Sequence, residues 1–176
     1  MTPEEIELKY QELCNTPTDM YEHLPKIREY ADRCDHVTEF GVRYCNSLFA
    51  ELASKAKKVV GIDIVDRPVP EVDKLQFICA NDLEIEIEPT DFLFIDTCHT
   101  YGHLQQELRL HGNKARKYLG FHDVVTFGEI GEDGSAGLMK AINEFMAENP
   151  HWVIDYHSLS CNGLMILRRV VEEAAE

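Results

Sequence analysis

The sequence predicts an α/β fold: about seven strands in one mostly parallel sheet, helices on both faces, and the C-terminal strands reversed. Three observations carry this prediction. After Asp35, short apolar runs alternate with helically spaced patterns, which is the rhythm of βαβ units. The last two apolar segments are joined by Cys161-Asn162-Gly163, a turn-forming run that makes them an antiparallel hairpin at one edge. The chain has 176 residues, 44% of them apolar, enough for one core and too few for two full domains.

Taken in order, Thr2-Pro3-Glu4-Glu5 has the form of a capping box with proline at the first helical position. Ile6, Tyr10 and Leu13 follow as an apolar stripe, so a first helix runs to about Asn15-Thr16-Pro17. Thr18-Asp19 opens a second helical pattern, Leu24, Ile27, Tyr30 and Ala31, whose regular part begins at Pro25. Strands are predicted at Val37 to Phe40, Val59 to Ile64, Leu75 to Cys79 and Phe92 to Ile95, with a short one ending near His122. Helices are predicted between them at about Ser47 to Lys57, Tyr101 to Lys117 and Leu138 to Glu148. Trp152 to His157 and Leu164 to Arg168 form the final hairpin. Without repeats or linker-like tracts, residues 1–176 read as one domain, with 1–34 a helical extension over the site and 35–170 the core.

Thirty-two acidic against 17 basic residues leave a net charge of −15, which opposes nucleic acid and anionic lipid surfaces alike. Apolar runs are short and the N-terminal Met1-Thr2-Pro3-Glu4-Glu5 is acidic, so neither a membrane span nor a leader peptide is expected, and the expected location is cytoplasmic. The six cysteines contain no C-x-x-C pair and are read as reduced core thiols.

In an open α/β sheet, ligands bind beyond the carboxyl ends of the strands. There Gly41 lets the backbone approach a ligand and Ser47 can cap the following helix. Asp63 lies 22 residues after Gly41, about where an acidic side chain holds ribose hydroxyls. Further strand ends carry Asn81-Asp82, Asp96-Thr97-Cys98-His99 and His122-Asp123.

The order Glu39-x-Gly41, Asp63, Asp82, Asp96, each closing a predicted strand, resembles the class I S-adenosylmethionine-dependent methyltransferases from about Asp35 to Arg168. Glu39-Phe40-Gly41-Val42-Arg43, Ile95-Asp96-Thr97-Cys98-His99-Thr100-Tyr101 and His122-Asp123 look more specifically like the divalent-metal-dependent small-molecule O-methyltransferases. That branch includes macrolide sugar O-methyltransferases and relatives of the cephalosporin hydroxylase family. The resemblance implies a Rossmann-like fold and methyl transfer from S-adenosylmethionine to a hydroxyl of a small molecule or sugar. It places Glu39, Gly41 and Ser47 beside the methionine portion of the cofactor, Asp63 on the ribose and Asp82 near the adenine. Asp96 borders the cofactor and, with Asp123, holds the metal. His122 stands where relatives have a carboxylate and is the candidate third ligand. One departure falls at the glycine-rich turn, where relatives often carry a second glycine and this chain has Cys45-Asn46.

The chemistry of the residues agrees. Methyl transfer needs an in-line approach and a more nucleophilic oxygen, which a hard cation provides by lowering the hydroxyl pKa. Two aspartates on adjacent strand ends suit magnesium, and Asp96 or His99 would be the base. His99, His103, Glu107 and His111 recur every four residues and are read as a solvated helix face rather than a metal row. The glycine-rich stretch Gly128 to Gly137 lacks a phosphate-loop ending and is read as a mobile loop closing over substrate. A nicotinamide dehydrogenase would need G-x-G-x-x-G after the first strand, which is absent. The remaining alternative is a non-catalytic α/β module, either receiver- or flavodoxin-like or a methyltransferase fold that binds cofactor without transfer. A homodimer is the favoured assembly.

Overall fold

The protein is seen in a computed structural model that describes residues 1–170. The strands are β1 (His36–Phe40), β2 (Lys58–Asp63), β3 (Leu75–Cys79), β4 (Thr90–Ile95), β5 (Ala115–His122), β6 (Trp152–Ser158) and β7 (Leu164–Arg169). They lie side by side in the order β3-β2-β1-β4-β5-β7-β6. β1 to β5 are parallel, and β7 runs antiparallel between β5 and β6. β4 is buried at every position and β1 at all but its first, which is why both read as unbroken apolar runs. Strand order reverses between β1 and β4, so the loops leaving them diverge and open a crevice at their carboxyl ends.

Helices cover both faces. On one side α1 (Pro3–Cys14), α2 (Leu24–Ala31) and α3 (Asn46–Leu52) set Ile6, Ile27 and Leu48 in a core that includes Val37, Phe92 and Phe94. On the other, α4 (Tyr101–His111) and α5 (Leu138–Glu148) pack Leu104, Leu108 and Ile142 in a core with Phe40, Leu93 and Leu119. The alternation of Phe92 and Phe94 with Leu93 and Ile95 is the two-residue period of β4 serving both layers. Thr2 and Glu5 exchange the capping-box hydrogen bonds at the start of α1.

Three expectations are corrected. The helix after β4 ends at His111, a short 3₁₀ turn spans Gly112–Lys114, and β5 starts at Ala115 and is eight residues long. Ala115 and Leu119 lie seven and eleven residues beyond Leu108, two and three helical turns on, which made strand look like helix. α3 ends at Leu52, not near Lys57, because the Ser54 hydroxyl bonds the Glu51 carbonyl and accepts from the Ala56 N–H, closing a turn. The cysteines are free, but only Cys34 and Cys45 are buried; Cys79 and Cys98 are exposed. Among the described residues no helix is long and apolar enough to cross a membrane.

Candidate active site

The crevice holds a cavity of about 400 Å³ walled by Gly41, Asp63, Arg67, Asp82, Asp96 and His103. Beside it lies a smaller one of about 90 Å³, walled by Met20, Ser47 and Asp123, with Gly41, Arg43 and Asp96 common to both. Gly41 has a φ of +85°, and a Cβ there would lie 1.9 Å from the carbonyl oxygen of Asp96. Its glycine is therefore already required by the turn of β1 against the end of β4, before any ligand is considered.

Glu39 is wholly buried and meets neither cavity; its carboxyl accepts the Ser47 hydroxyl. Ser47 lies within α3, so the capping role read from the sequence does not hold. The N-cap is Cys45, which is left-handed at φ 63° and makes no side-chain cap. Glu51 on α3 is also wholly buried. Its two oxygens and Glu39 Oε2 have no hydrogen-bond partner among the described residues. Burial pushes the Glu51 carboxyl up to about 8. Burial, and then the nearby Glu51, raises Glu39 well above the usual range.

Asp63 stands at the end of β2 with both oxygens engaged. Oδ2 accepts from the Arg43 N–H at 2.9 Å and Oδ1 from the Val65 N–H at 2.8 Å. Arg67 Nε lies 3.4 Å from Oδ2. The Asp63 bond holds Arg43 in the left-handed region at φ 41°, where a glycine would be at ease. Asp82 pairs with His103 Nε2 at 3.1 Å. Burial opposes the Asp82 charge, but His103 outweighs it and holds the carboxyl down to about 2. The row on α4 is not a solvated face: Glu107 and His111 are buried, because α4 lies against the loop after β3, where the backbone oxygen of Asp82 meets His111 Nε2 at 2.7 Å.

The last group converges from β4, β5 and the loops that follow them. His99 Nε2 lies 2.8 Å from Asp123 Oδ2 and 3.5 Å from Asp96 Oδ1. His122 Nδ1 lies 3.3 Å from Asp123 Oδ2 and 3.5 Å from Asp96 Oδ1. His122 Nε2 faces the carbonyl oxygens of Asp19 and Cys161, each at 3.0 Å. That nitrogen therefore carries a proton and Nδ1 points at the carboxylates. Burial opposes charge on both rings, but Asp123 and Asp96 outweigh it, pushing His99 up to about 10 and His122 to about 11. His99 Nε2, His122 Nδ1 and Asp123 Oδ1 are buried without an aligned hydrogen-bond partner; the 2.8 Å approach of His99 to Asp123 is an ion-pair distance out of hydrogen-bond line. Ligand atoms bonded to one ion at about 2.0–2.2 Å stand roughly 3–3.5 Å apart. Asp96, His99 and Asp123, with His122 at similar spacing, therefore fit a divalent cation.

The sequence did not single out several supports of this group. The Phe127 ring stacks on His99 at 4.7 Å, 3° from parallel, and Glu132 Oε2 lies 3.4 Å from His99 Nδ1. His23 is buried, with Nε2 on the carbonyl oxygens of Ser160 and Cys161 and its ring edge-on to His122. Asp19 and Met20 border the smaller cavity. The sequence reading placed residues 1–34 over the site without fixing which of their side chains reach it. The glycine-rich loop is folded against His99: Glu132 N–H donates to the His99 carbonyl, and Ile130 bridges to Ala136.

No protein-family model matches the sequence, and no curated protein matches it. Solved structures do. A protein from Corynebacterium glutamicum superposes with a TM-score of 0.69 at 11% identity, covering 98% of this chain and 91% of its own. An SAH-bound methyltransferase from Podospora anserina superposes at 0.56 with 16% identity, covering 97% of this chain and 98% of its own. The MycE methyltransferase of mycinamycin biosynthesis, in complex with Mg, SAH and mycinamycin VI, superposes at 0.64 with 15% identity, covering 99% of this chain and 56% of its own. The strand order, the reversed β7 and this likeness identify the architecture as the Rossmann-like fold shared by S-adenosylmethionine-dependent methyltransferases.

Proposed function

We propose that this chain transfers a methyl group from S-adenosylmethionine to a hydroxyl of a small molecule or sugar, aided by magnesium or a similar divalent cation at Asp96 and Asp123. The observation that carries the reading is the position of Asp96. It borders both cavities and also belongs to the cluster with His99, His122 and Asp123, so a cofactor in the larger cavity meets an acceptor in the smaller one beside that cluster. Asp63 takes the ribose hydroxyls once Arg67 yields, and Asp82 faces the adenine end. Met20 borders the acceptor, and Gly41 and Ser47 face the methionine end of the cofactor where the cavities meet. A bound cation supplies one thing, a lower pKa for the acceptor hydroxyl. The hydroxyl oxygen attacks the sulfonium methyl in line; the O–C bond forms as the C–S bond breaks, and the electron pair returns to sulfur. Asp96, whose carboxylate borders the smaller cavity, takes the hydroxyl proton, and His99, held flat by Phe127, orients it. Six free cysteines suit a reducing compartment, and we place the protein in the cytoplasm.

The test is calorimetric titration with S-adenosylmethionine and with its demethylated product, each with magnesium and with chelator. Wild-type protein should bind both in the micromolar range. Asp63→Ala should weaken binding by roughly tenfold or more, the loss of hydrogen bonds worth about 1.5–3 kcal/mol. Asp96→Asn and Asp123→Asn should keep cofactor binding and lose turnover. Failure of wild-type protein to bind either compound under any of these conditions would overturn the proposal, whereas binding with no turnover on any hydroxyl acceptor would make the chain a cofactor-binding module.

A further inference from the structure

A second set of ligating side chains borders the larger cavity through Asp82 and His103, and it shares Asp82 with the adenine end of the methyl-transfer reading. We propose that Asp82, His103 and Glu107 form a second divalent-metal site, suited to zinc or a neighbouring transition ion and distinct from the Asp96 group. α4 places His103 and Glu107 one turn apart on the same side, and the loop after β3 brings Asp82 against them. His103 Nε2 lies 3.1 Å from Asp82 Oδ2 and 3.6 Å from Glu107 Oε1, and ligand atoms of all three fall within 4.8 Å of one another. Those separations bracket the edge of about 3.3 Å that a tetrahedral ion with bonds near 2.0–2.1 Å requires.

Glu107 supplies the second, independent observation. Its side chain is wholly buried; Oε1 receives the Thr97 hydroxyl at 2.8 Å, while Oε2 is buried with no hydrogen-bond partner among the described residues. A carboxylate taken out of water and left partly unbonded is costly unless a cation or a proton answers it. Two carboxylates and one neutral imidazole around a divalent ion sum to zero charge. The outer bonds are also those of a metal site: Thr97 orients Glu107, and His111 anchors the backbone of Asp82. Asp82 and His103 border the cavity, so the fourth position would open toward it. The imidazole favours a transition ion over magnesium.

Cobalt(II) and zinc(II) titrations of the whole chain test the site, with cobalt followed by its visible d–d absorption. In an Asp123→Asn background, which takes one carboxylate ligand from the other group, one equivalent of cobalt should bind with the strong visible absorption of a tetrahedral nitrogen and oxygen site. Zinc should displace it. Adding Glu107→Gln should weaken that binding at least about tenfold, as loss of a ligand or its outer partner does. Adding His103→Asn should do the same, with circular dichroism and thermal melts showing both variants folded. No cobalt binding in the Asp123→Asn protein would overturn the proposal, and the three side chains would then be a histidinium shared by two carboxylates. Binding retained within about twofold in both double variants, or accompanied by the near-ultraviolet charge-transfer band of a thiolate ligand, would also overturn it. Cofactor binding plays no part in this readout, so the two proposals fail separately.

Discussion

At Gly41 and Gly134 the backbone is left-handed to almost the same degree, φ +85° and +79°, yet the surroundings differ completely. A Cβ at Gly134 meets nothing within 4 Å, whereas at Gly41 it meets the backbone of Asp96. Gly134→Ala should therefore cost only the left-handed penalty, about 1–2 kcal/mol. Gly41→Ala should cost more than about 4 kcal/mol, because a backbone oxygen cannot step aside. Denaturant unfolding of the two variants checks the contrast, and equal losses would mean that β1 and β4 separate easily.

The buried Glu51 makes a pH prediction of the same scale. Its carboxyl is pushed up from the ordinary 4.5 to about 8 by burial, so the folded protein holds a proton that the unfolded chain releases. The contribution of this group to stability is complete below 4.5 and is lost as the pH rises through 8. Glu51→Gln keeps the shape without the charge, so its melting temperature should gain on the wild type progressively between pH 5 and pH 8. Parallel melting curves across that interval would show Glu51 ionised in the fold.

Among the elements, the segment before α2 is fastened to the far end of the sheet by two histidines. His122 on β5 reaches the Asp19 carbonyl, and His23 reaches the turn between β6 and β7. His23→Ala should remove roughly 1–3 kcal/mol of buried hydrogen bonding. It should speed amide exchange in residues 18–23 and 158–163 while leaving α1 protected, and uniform exchange across the chain would show that the tether is not local. The sequence could not disclose this link, because 103 residues separate Asp19 from His122 and 137 separate His23 from Ser160. What it did disclose has a physical basis. β1, β2 and β4 are buried on both faces and so read as apolar runs; Asp63 closes β2 and Asp96 follows β4 directly, while Asp82 and Asp123 follow β3 and β5. Asp63, Asp82, Asp96 and Asp123 were thus legible one at a time. The partnership of Glu39 with Glu51, the stacking of Phe127 on His99 and the inward turn of Glu107 depend on which helix lies over which loop. No spacing encodes that. β5 was cut short for a related reason, since Arg116 and Lys117, just after its first residue, are exposed and carry no strand signature.

At the scale of the molecule, the division into an extension of residues 1–34 and a core of residues 35–170 has a testable consequence. α1 and α2 do more than lean over the site. Ile6, Tyr10, Leu24, Ile27 and Tyr30 are buried in the same core as Val37, Phe92 and Tyr118, with the Tyr30 ring edge-on to Tyr118 at 4.9 Å. Burial of each such side chain contributes roughly 1.5–3 kcal/mol, so together they are worth about as much as the whole net stability of an ordinary domain, about 5–15 kcal/mol. On the opposite face α4 and α5 remain, but they cannot compensate for a sheet stripped on one side. A chain beginning at Asp35 should therefore lose its cooperative thermal transition, bind a hydrophobic dye and fail to bind S-adenosylmethionine. Adding residues 1–34 back as a separate peptide should restore little, because a free α1 or α2 is too short to be helical by itself. If the shortened chain instead melts cooperatively within a few degrees of the full protein, the first two helices are an accessory to the sheet, and the contacts of Asp19 and His23 with β5 and the β6–β7 turn become their main purpose.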